Sequence, residues 1–158
     1  MNKNSRDKIA ELMAGFESVC RRKGIRMTHQ RYEIFRELAK YPGHPTVDAV
    51  FHRLRKRLKT ISLDTIYRTI LMFEKNGLIK RVQVLDKTAR FDINLAVHHH
   101  LICTRCKKIE DFYWPEFDRM HVPKTIRGWT DINSRQVEIR GLCRECAAVQ
   151  KRKQQKKG

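Results

Sequence analysis

The stretch His98-His99-His100-Leu101-Ile102-Cys103-Thr104-Arg105-Cys106 limits what this chain can become more than any other. It sets imidazoles and thiols almost side by side, and a second Cys-x-x-Cys follows at Cys143 and Cys146. Two such pairs supply the four thiolates that a tetrahedral zinc site takes, at about 2.3 Å from each sulfur. Four thiolates leave no open coordination position, so such a site supports structure and not catalysis. The competing reading is two reduced or redox-active pairs. A disulfide framework is disfavoured, because the chain has five cysteines and four of them fall in regular pairs. The fifth, Cys20, lies on the apolar face of a helical pattern and reads as a small buried hydrophobe.

If residues 98 to 104 form a strand, side chains alternate between its faces. His98 and His100 then share one face and His99 takes the other. Asp92, on an earlier strand, and Asp111, on the strand paired with the histidines, join His98 and His100 as a second constellation. Imidazole with carboxylate suits Fe(II), Mn(II), Zn(II) or Co(II) better than a thiolate site does, and releases its metal more readily, as a sensor requires. The bland alternative is solvated histidines beside surface acids. His44, flanked by Gly43 and Pro45, is on spacing alone a loop histidine.

Apolar residues at helical spacing predict a helix over 5–23, with Ile9, Leu12, Met13, Phe16, Val19 and Cys20 inward. Three more start at the N-caps Thr28, Thr46 and Ser62, the first burying Tyr32, Ile34, Phe35, Leu38 and Ala39, the second turning Val47, Val50, Phe51, Leu54 and Leu58 inward, and the third setting Leu63, Ile66, Ile70, Leu71 and Phe73 on one side. Gly24 ends the first helix, and Asn76-Gly77 ends the fourth at a left-handed position. The pattern then alternates, predicting strands over 78–85 and 89–93 joined at Asp86-Lys87. Helix, short turn, helix and hairpin make a winged helix-turn-helix, with the fourth helix placed to read DNA. Beyond residue 94 we expect strands over 98–104, 108–113 and 136–142. A short helix over 115–122 stops before Pro123, and a frayed basic tail closes the chain. The expected organisation is a winged-helix domain over 1–88, a metal-binding domain over 89–147 and a basic tail over 148–158.

Charge decides the class of partner. The formal net charge is +18, from 35 Lys+Arg against 17 Asp+Glu, which favours nucleic acid or an anionic surface. Arg68 can bridge two acceptors on guanine, and Tyr67 can pack on a thymine methyl or a phosphate, unless it is core. Arg55, Arg57, Lys59 and Lys80, with Arg53, Lys56 and Arg81, are candidate phosphate contacts, each with the alternative of a solvated charge. No apolar run approaches the roughly 20 residues of a membrane span. The polar N-terminus lacks the apolar core of a signal peptide, so we expect a cytoplasmic protein without a membrane partner.

Six motifs in order carry a resemblance over roughly residues 15–147. They are Arg26-Met27-Thr28-His29-Gln30-Arg31, His44-Pro45-Thr46, Ser62-Leu63-Asp64-Thr65-Ile66-Tyr67-Arg68, Arg90-Phe91-Asp92, the His98–Cys106 stretch and Gly141-Leu142-Cys143-Arg144-Glu145-Cys146. The chain resembles the ferric uptake regulator (Fur) superfamily of metal-dependent repressors. The resemblance implies an α+β protein, an N-terminal winged helix-turn-helix domain followed by a C-terminal α/β dimerisation domain. It implies a homodimer on double-stranded operator DNA, with one structural Zn(II) per chain on Cys103, Cys106, Cys143 and Cys146. It places regulatory Fe(II) or Mn(II) on His44, Asp92, His98, His100 and Asp111, which gives His44 the role spacing withheld.

Aspartates at 92 and 111 look like the peroxide-sensing branch, in which iron-catalysed oxidation of a ligand histidine, here His44 or His98, releases DNA. Tyr67-Arg68 looks instead like the iron- and zinc-sensing branches, and an iron-sensing regulator is the alternative within the family. A further regulatory site of some iron sensors is poorly matched, with Val97, His99 and Arg135 near its positions. Pro123 departs from the usual dimerisation helix. From other classes, a zinc-dependent hydrolase on His98 and His100 lacks an adjacent general base and leaves the basic helix-turn-helix unexplained. A zinc-ribbon RNA-binding module accounts for the cysteines but not for the histidines or the wing.

Overall fold

Side-chain hydroxyls begin three helices of the N-terminal half. Thr28 Oγ1 accepts from Arg31 N ahead of α2 (His29–Lys40), Thr46 Oγ1 from Ala49 N ahead of α3 (Val47–Leu54), and Ser62 Oγ from Thr65 N ahead of α4 (Leu63–Lys75). Each cap satisfies one amide that the first helical turn cannot pair. The computed structural model describes residues 3–41, 43–82, 88–123, 125–126, 128–129, 132 and 134–155, without the side chains of 3–5. The long α1 (Lys3–Arg22) precedes α2, and Gly24 turns the chain at φ 65°. Gly77 does the same after α4 at φ 67°, a conformation that costs glycine no Cβ clash.

The core of this half is aromatic. Phe16 stacks on Phe35 with centroids 4.0 Å apart, and Phe73 stands edge-on to both. Ile34, Leu38, Val50, Leu54, Ile66 and Ile70 close round them. Each such side chain contributes about 1.5–3 kcal/mol on burial. Cys20 is buried here as expected, and burial pushes its thiol pKa up.

Two short strands follow, β1 (Lys80–Val82) and β2 (Arg90–Asp92), antiparallel with Lys80 opposite Asp92 and Val82 opposite Arg90. Strand β1 starts two residues later than the alternation suggested and β2 is shorter by one residue at each end, while the expected strand residues 83–85 and the turn at Asp86-Lys87 lie outside the described residues. Because β2 pairs with β1, the division into two units falls between Leu95 and Ala96, later than residue 88.

The C-terminal unit is built on one sheet in the order β4-β3-β5. Strand β3 (His99–Cys103) runs antiparallel to β4 (Ile109–Phe112) and parallel to β5 (Glu138–Gly141). Its buried hydrophobic residues, among those described, are Ile102, Cys103 and Ile109. Helix α5 (Pro115–Arg119) is shorter than expected, because Met120 already has extended geometry at ψ 138°. The residues expected to fray form a helix instead, α6 (Arg144–Gln155). Glu145 in its first turn and Arg152 and Lys153 in its last suit the helix dipole, and Ala, Gln, Lys and Arg are good helix formers.

Candidate metal centres

The parallel pairing of β3 with β5 brings the cysteine pairs together. Cys103 lies opposite Gly141 in the register, so Cys143 falls just beyond the end of the neighbouring strand. The turn after β3 carries Cys106, and Lys107 then takes a left-handed φ of 62°. The sulfurs of Cys103, Cys106, Cys143 and Cys146 lie within 4.8 Å of one another, and all are free thiols. Cys106 Sγ and Cys143 Sγ are 3.7 Å apart. A zinc tetrahedron with bonds of about 2.3 Å spaces its sulfurs by roughly 3.8 Å, so the donors fit that ion.

Their protonation explains the demand for a cation. The backbone amide of Cys143 at 3.4 Å, joined by that of Cys106 at 3.5 Å, donates to Cys103 Sγ and brings its pKa down to about 6. Desolvation, then hydrogen bonds with the other three sulfurs, pushes Cys146 up to about 12. Cys106 is raised on balance: a backbone hydrogen bond at Lys108 lowers it, but desolvation and its contacts with Cys103 and Cys143 outweigh that. One thiolate therefore forms readily and resists the rest until a dication arrives.

The histidines alternate as expected, with His98 just ahead of β3 and His99 and His100 on it. His98 Nε2 and His100 Nε2 are 3.1 Å apart, and Asp111 Oδ1 is 3.8 Å from each. His98 Nδ1 is 2.9 Å from Ala96 O, so it carries the proton and leaves the Nε2 lone pair turned towards His100. The Gln136 amide nitrogen lies 3.2 Å from both His100 Nδ1 and His98 O. This cluster offers two ring nitrogens and a carboxylate from one unit, a donor set suited to Fe(II), Mn(II) or Zn(II).

His99 faces the other way and is packed. Its Nδ1 accepts from Val137 N at 3.2 Å, its Nε2 is 3.4 Å from Asp118 Oδ1, and Phe112 and Phe117 flank the ring. Arg135 donates to the carbonyls of Asp118 and Met120, and Val97 is exposed. The poorly matched additional site thus has neither Val97 nor Arg135 as a donor.

The N-terminal unit holds the other two nominated ligands as a pair. Phe91 N donates to Pro45 O at 3.1 Å, which lays the loop carrying His44 along β2. His44 Nε2 then sits 3.6 Å from Asp92 Oδ2, both side chains buried. Asp92 Oδ1 accepts from Asn94 N at 2.7 Å, which fixes the carboxylate.

The basic residues separate into two groups. On α4, Tyr67 is 48% exposed and so is not core, and Arg68 is bound through Nε to Asp64 at 2.9 Å. Arg55 and Lys59 are exposed after α3, with Arg55 over the Phe51 ring. Arg57, nominated for phosphate, instead donates to Glu33 and Glu37 at 2.8 Å each. Arg81 chelates Glu74, and Lys80 Nζ donates to Leu95 O. The sequence reading missed Glu33, Glu37, Asp64 and Gln136. The first two carried a signal, acidic residues one turn apart on the apolar side of α2. No described helix is long and apolar enough to cross a membrane.

The ferric uptake regulator family matches residues 22–140. The peroxide-responsive repressor PerR of Staphylococcus epidermidis is 36% identical over 126 residues, 80% of this chain and 84% of that protein. The ferric uptake regulator of Francisella tularensis with iron superposes with a TM-score of 0.64 at 25% identity, over 78% of this chain and 96% of that one. The Helicobacter pylori ferric uptake regulator Fur, with three functional metal binding sites, superposes with a TM-score of 0.72 over 88% and 93%. Its identity is 22%, so that likeness is one of fold.

Proposed function

Because the chain belongs to the ferric uptake regulator family, we propose that it is a homodimeric, cytoplasmic repressor of double-stranded operator DNA that loses its grip when peroxide oxidises a ligand histidine. The family is one of transcriptional regulators, so the hydrolase reading falls away. Cys103, Cys106, Cys143 and Cys146 would hold Zn(II) as a staple. His44 and Asp92 of the first unit, with His98, His100 and Asp111 of the second, would share one Fe(II) or Mn(II). Neither half alone offers the five or six donors these metals prefer, so the ion would tie the DNA-binding unit to the dimerising one.

The observation that carries the peroxide reading is the donor chemistry. An aspartate partners the histidines in each half, with no thiolate among them. Bound there, Fe(II) would supply one-electron reduction of peroxide beside the side chains that hold it. The chain keeps the targets in place: Ala96 O orients the His98 ring, and the Phe91–Pro45 bond seats the His44 loop. A histidine that has gained an oxygen atom no longer offers the same lone pair. The two units then lose a shared donor, and with it the pose that binds DNA. The four sulfurs are spared because zinc engages them.

One observation favours iron sensing: an exposed Arg68 follows Tyr67 where peroxide sensors often carry Asn. Peptide mass spectrometry separates the readings. After low peroxide, Fe(II)-loaded protein should gain the mass of one oxygen on His44 or His98 and release its DNA in parallel. Mn(II)-loaded protein should do neither. Fe(II)-loaded protein that keeps its DNA and its histidines would overturn the peroxide reading and leave iron sensing in its place.

A further inference from the structure

The carboxylate that flanks Arg68 sets it in an environment unlike that of Arg57 and Arg81. Arg57 and Arg81 are each saturated by carboxylates through two nitrogens. Arg68 is 79% exposed, and its nearest carboxylate contact runs from Nε, 2.9 Å from Asp64 Oδ2 one turn earlier in α4. A guanidinium has five N–H donors in a fixed plane, so a bond through Nε leaves the terminal amino groups unspent. Those are the groups that bridge O6 and N7 of guanine in the major groove.

Asp64 itself calls for a reason. It lies in the first turn of α4, just after the N-cap Ser62, where the helix dipole favours an acid. Yet it is 64% exposed on the helix assigned above to reading DNA, where a carboxylate would repel phosphate. An ion pair this exposed adds little to folding. A benefit that grows when water is excluded suits it better. Between protein and DNA the pair would sit in a lower dielectric, where the carboxylate grips the guanidinium harder and restricts its plane.

We propose that Asp64 is a positioning residue for sequence reading: it holds Arg68 end-on, so that the guanidinium meets a guanine edge rather than a phosphate. This rests on the reading that Arg68 contacts DNA. Asp64 thereby trades some overall affinity for discrimination, because its own charge opposes the backbone while its ion pair directs the arginine.

The test uses the full-length, metal-loaded protein and a duplex selected by it from a random-sequence pool, beside a random duplex of equal length. Asp64→Ala should bind the random duplex a few-fold more tightly, yet its preference for the selected duplex should fall by about 5- to 100-fold, the span of one bidentate base contact. Arg68→Ala should lose a similar preference, and Asp64→Ala added to it should cost no more, because the two act as one unit. Asp64→Asn keeps an acceptor oxygen and should retain part of the preference. Unchanged zinc content and melting temperature show that each variant is folded. If Asp64→Ala tightens both duplexes equally, or if the double variant loses the sum of the single losses, the positioning role is wrong. If Arg68→Ala itself leaves the preference intact, the DNA-reading premise fails and the proposal with it.

Discussion

Replacing Arg57 tests whether its charge serves the fold or the DNA. Its guanidinium spans Glu33 and Glu37, whose side chains are only 8% and 9% exposed. Arg36 holds the other oxygen of Glu33 at 2.9 Å, and Arg53 stands 3.7 Å from Glu37. Breaking a fully buried ion pair costs about 3–5 kcal/mol, because the remaining charge is stranded. Arg57 is 41% exposed and two arginines remain nearby, so we expect Arg57→Ala to cost about 1–3 kcal/mol. The pH dependence gives a second reading. Burial acts most strongly on Glu33 and raises its pKa, but Arg36 and Arg57 together outweigh it and hold the carboxyl below its ordinary value. A lowered folded pKa contributes stability that is present above the unfolded pKa and is lost as pH falls through the folded one. Without Arg57 less holds the Glu33 pKa down, so it rises in the folded variant. The stability gap to the parent should therefore narrow as pH falls through the ordinary carboxylate range, around pH 4 to 5. Urea unfolding of the metal-loaded protein, followed by far-UV circular dichroism, measures it. Undiminished stability in Arg57→Ala, with a salt slope for DNA binding reduced by about one, would refute this account and make Arg57 a phosphate contact.

Cys103→Ser or Cys143→Ser should lose the zinc and the dimer, read by metal analysis and sedimentation, and a folded, dimeric, zinc-free protein would sink the staple. Zinc uptake by the reduced metal-free protein at pH 7.5 should release protons from Cys106 and Cys146 but almost none from Cys103, and affinity should weaken as pH falls, both measurable by calorimetry in buffers of different ionisation enthalpy. Arg55→Ala and Lys59→Ala should each lower the salt slope by about one while leaving sequence preference intact. Arg68→Ala should instead cost about 1–3 kcal/mol on specific DNA, and equal losses on specific and random DNA would make it a phosphate contact.

The features legible in the sequence were those set by neighbours. Thr28, Thr46 and Ser62 cap the helices they were expected to cap, because a cap bonds an amide three residues on. The four cysteines converge because each pair sits at the end of a strand. The rest depended on contacts between distant residues. Nothing around His44 announces that Pro45 will accept a hydrogen bond from Phe91 and so set the histidine beside Asp92. Arg57 looks like any basic residue after a helix until Glu33 and Glu37 claim it. Tyr67 had two readings, and only its exposure removes the core one. The charge of residues 147–158 suggested fraying, but it concealed the helical propensity of α6.

The parallel alignment of β3 and β5 also has a consequence in time. A tight hairpin cannot join parallel strands, so β5 must find β3 across a long excursion of chain. Cys143 meets Cys103 at a sequence separation of 40. Closing a loop of that length costs about 4 kcal/mol in chain entropy. All four β5 residues are exposed, so little apolar burial offsets the cost and the strand is an edge held mainly by its ladder. A metal that captures both cysteine pairs turns this slow search into a local one, as a cross-link does. The cysteines thereby govern how long the C-terminal unit spends without its third strand, with its unpaired edge open to whatever chain arrives first.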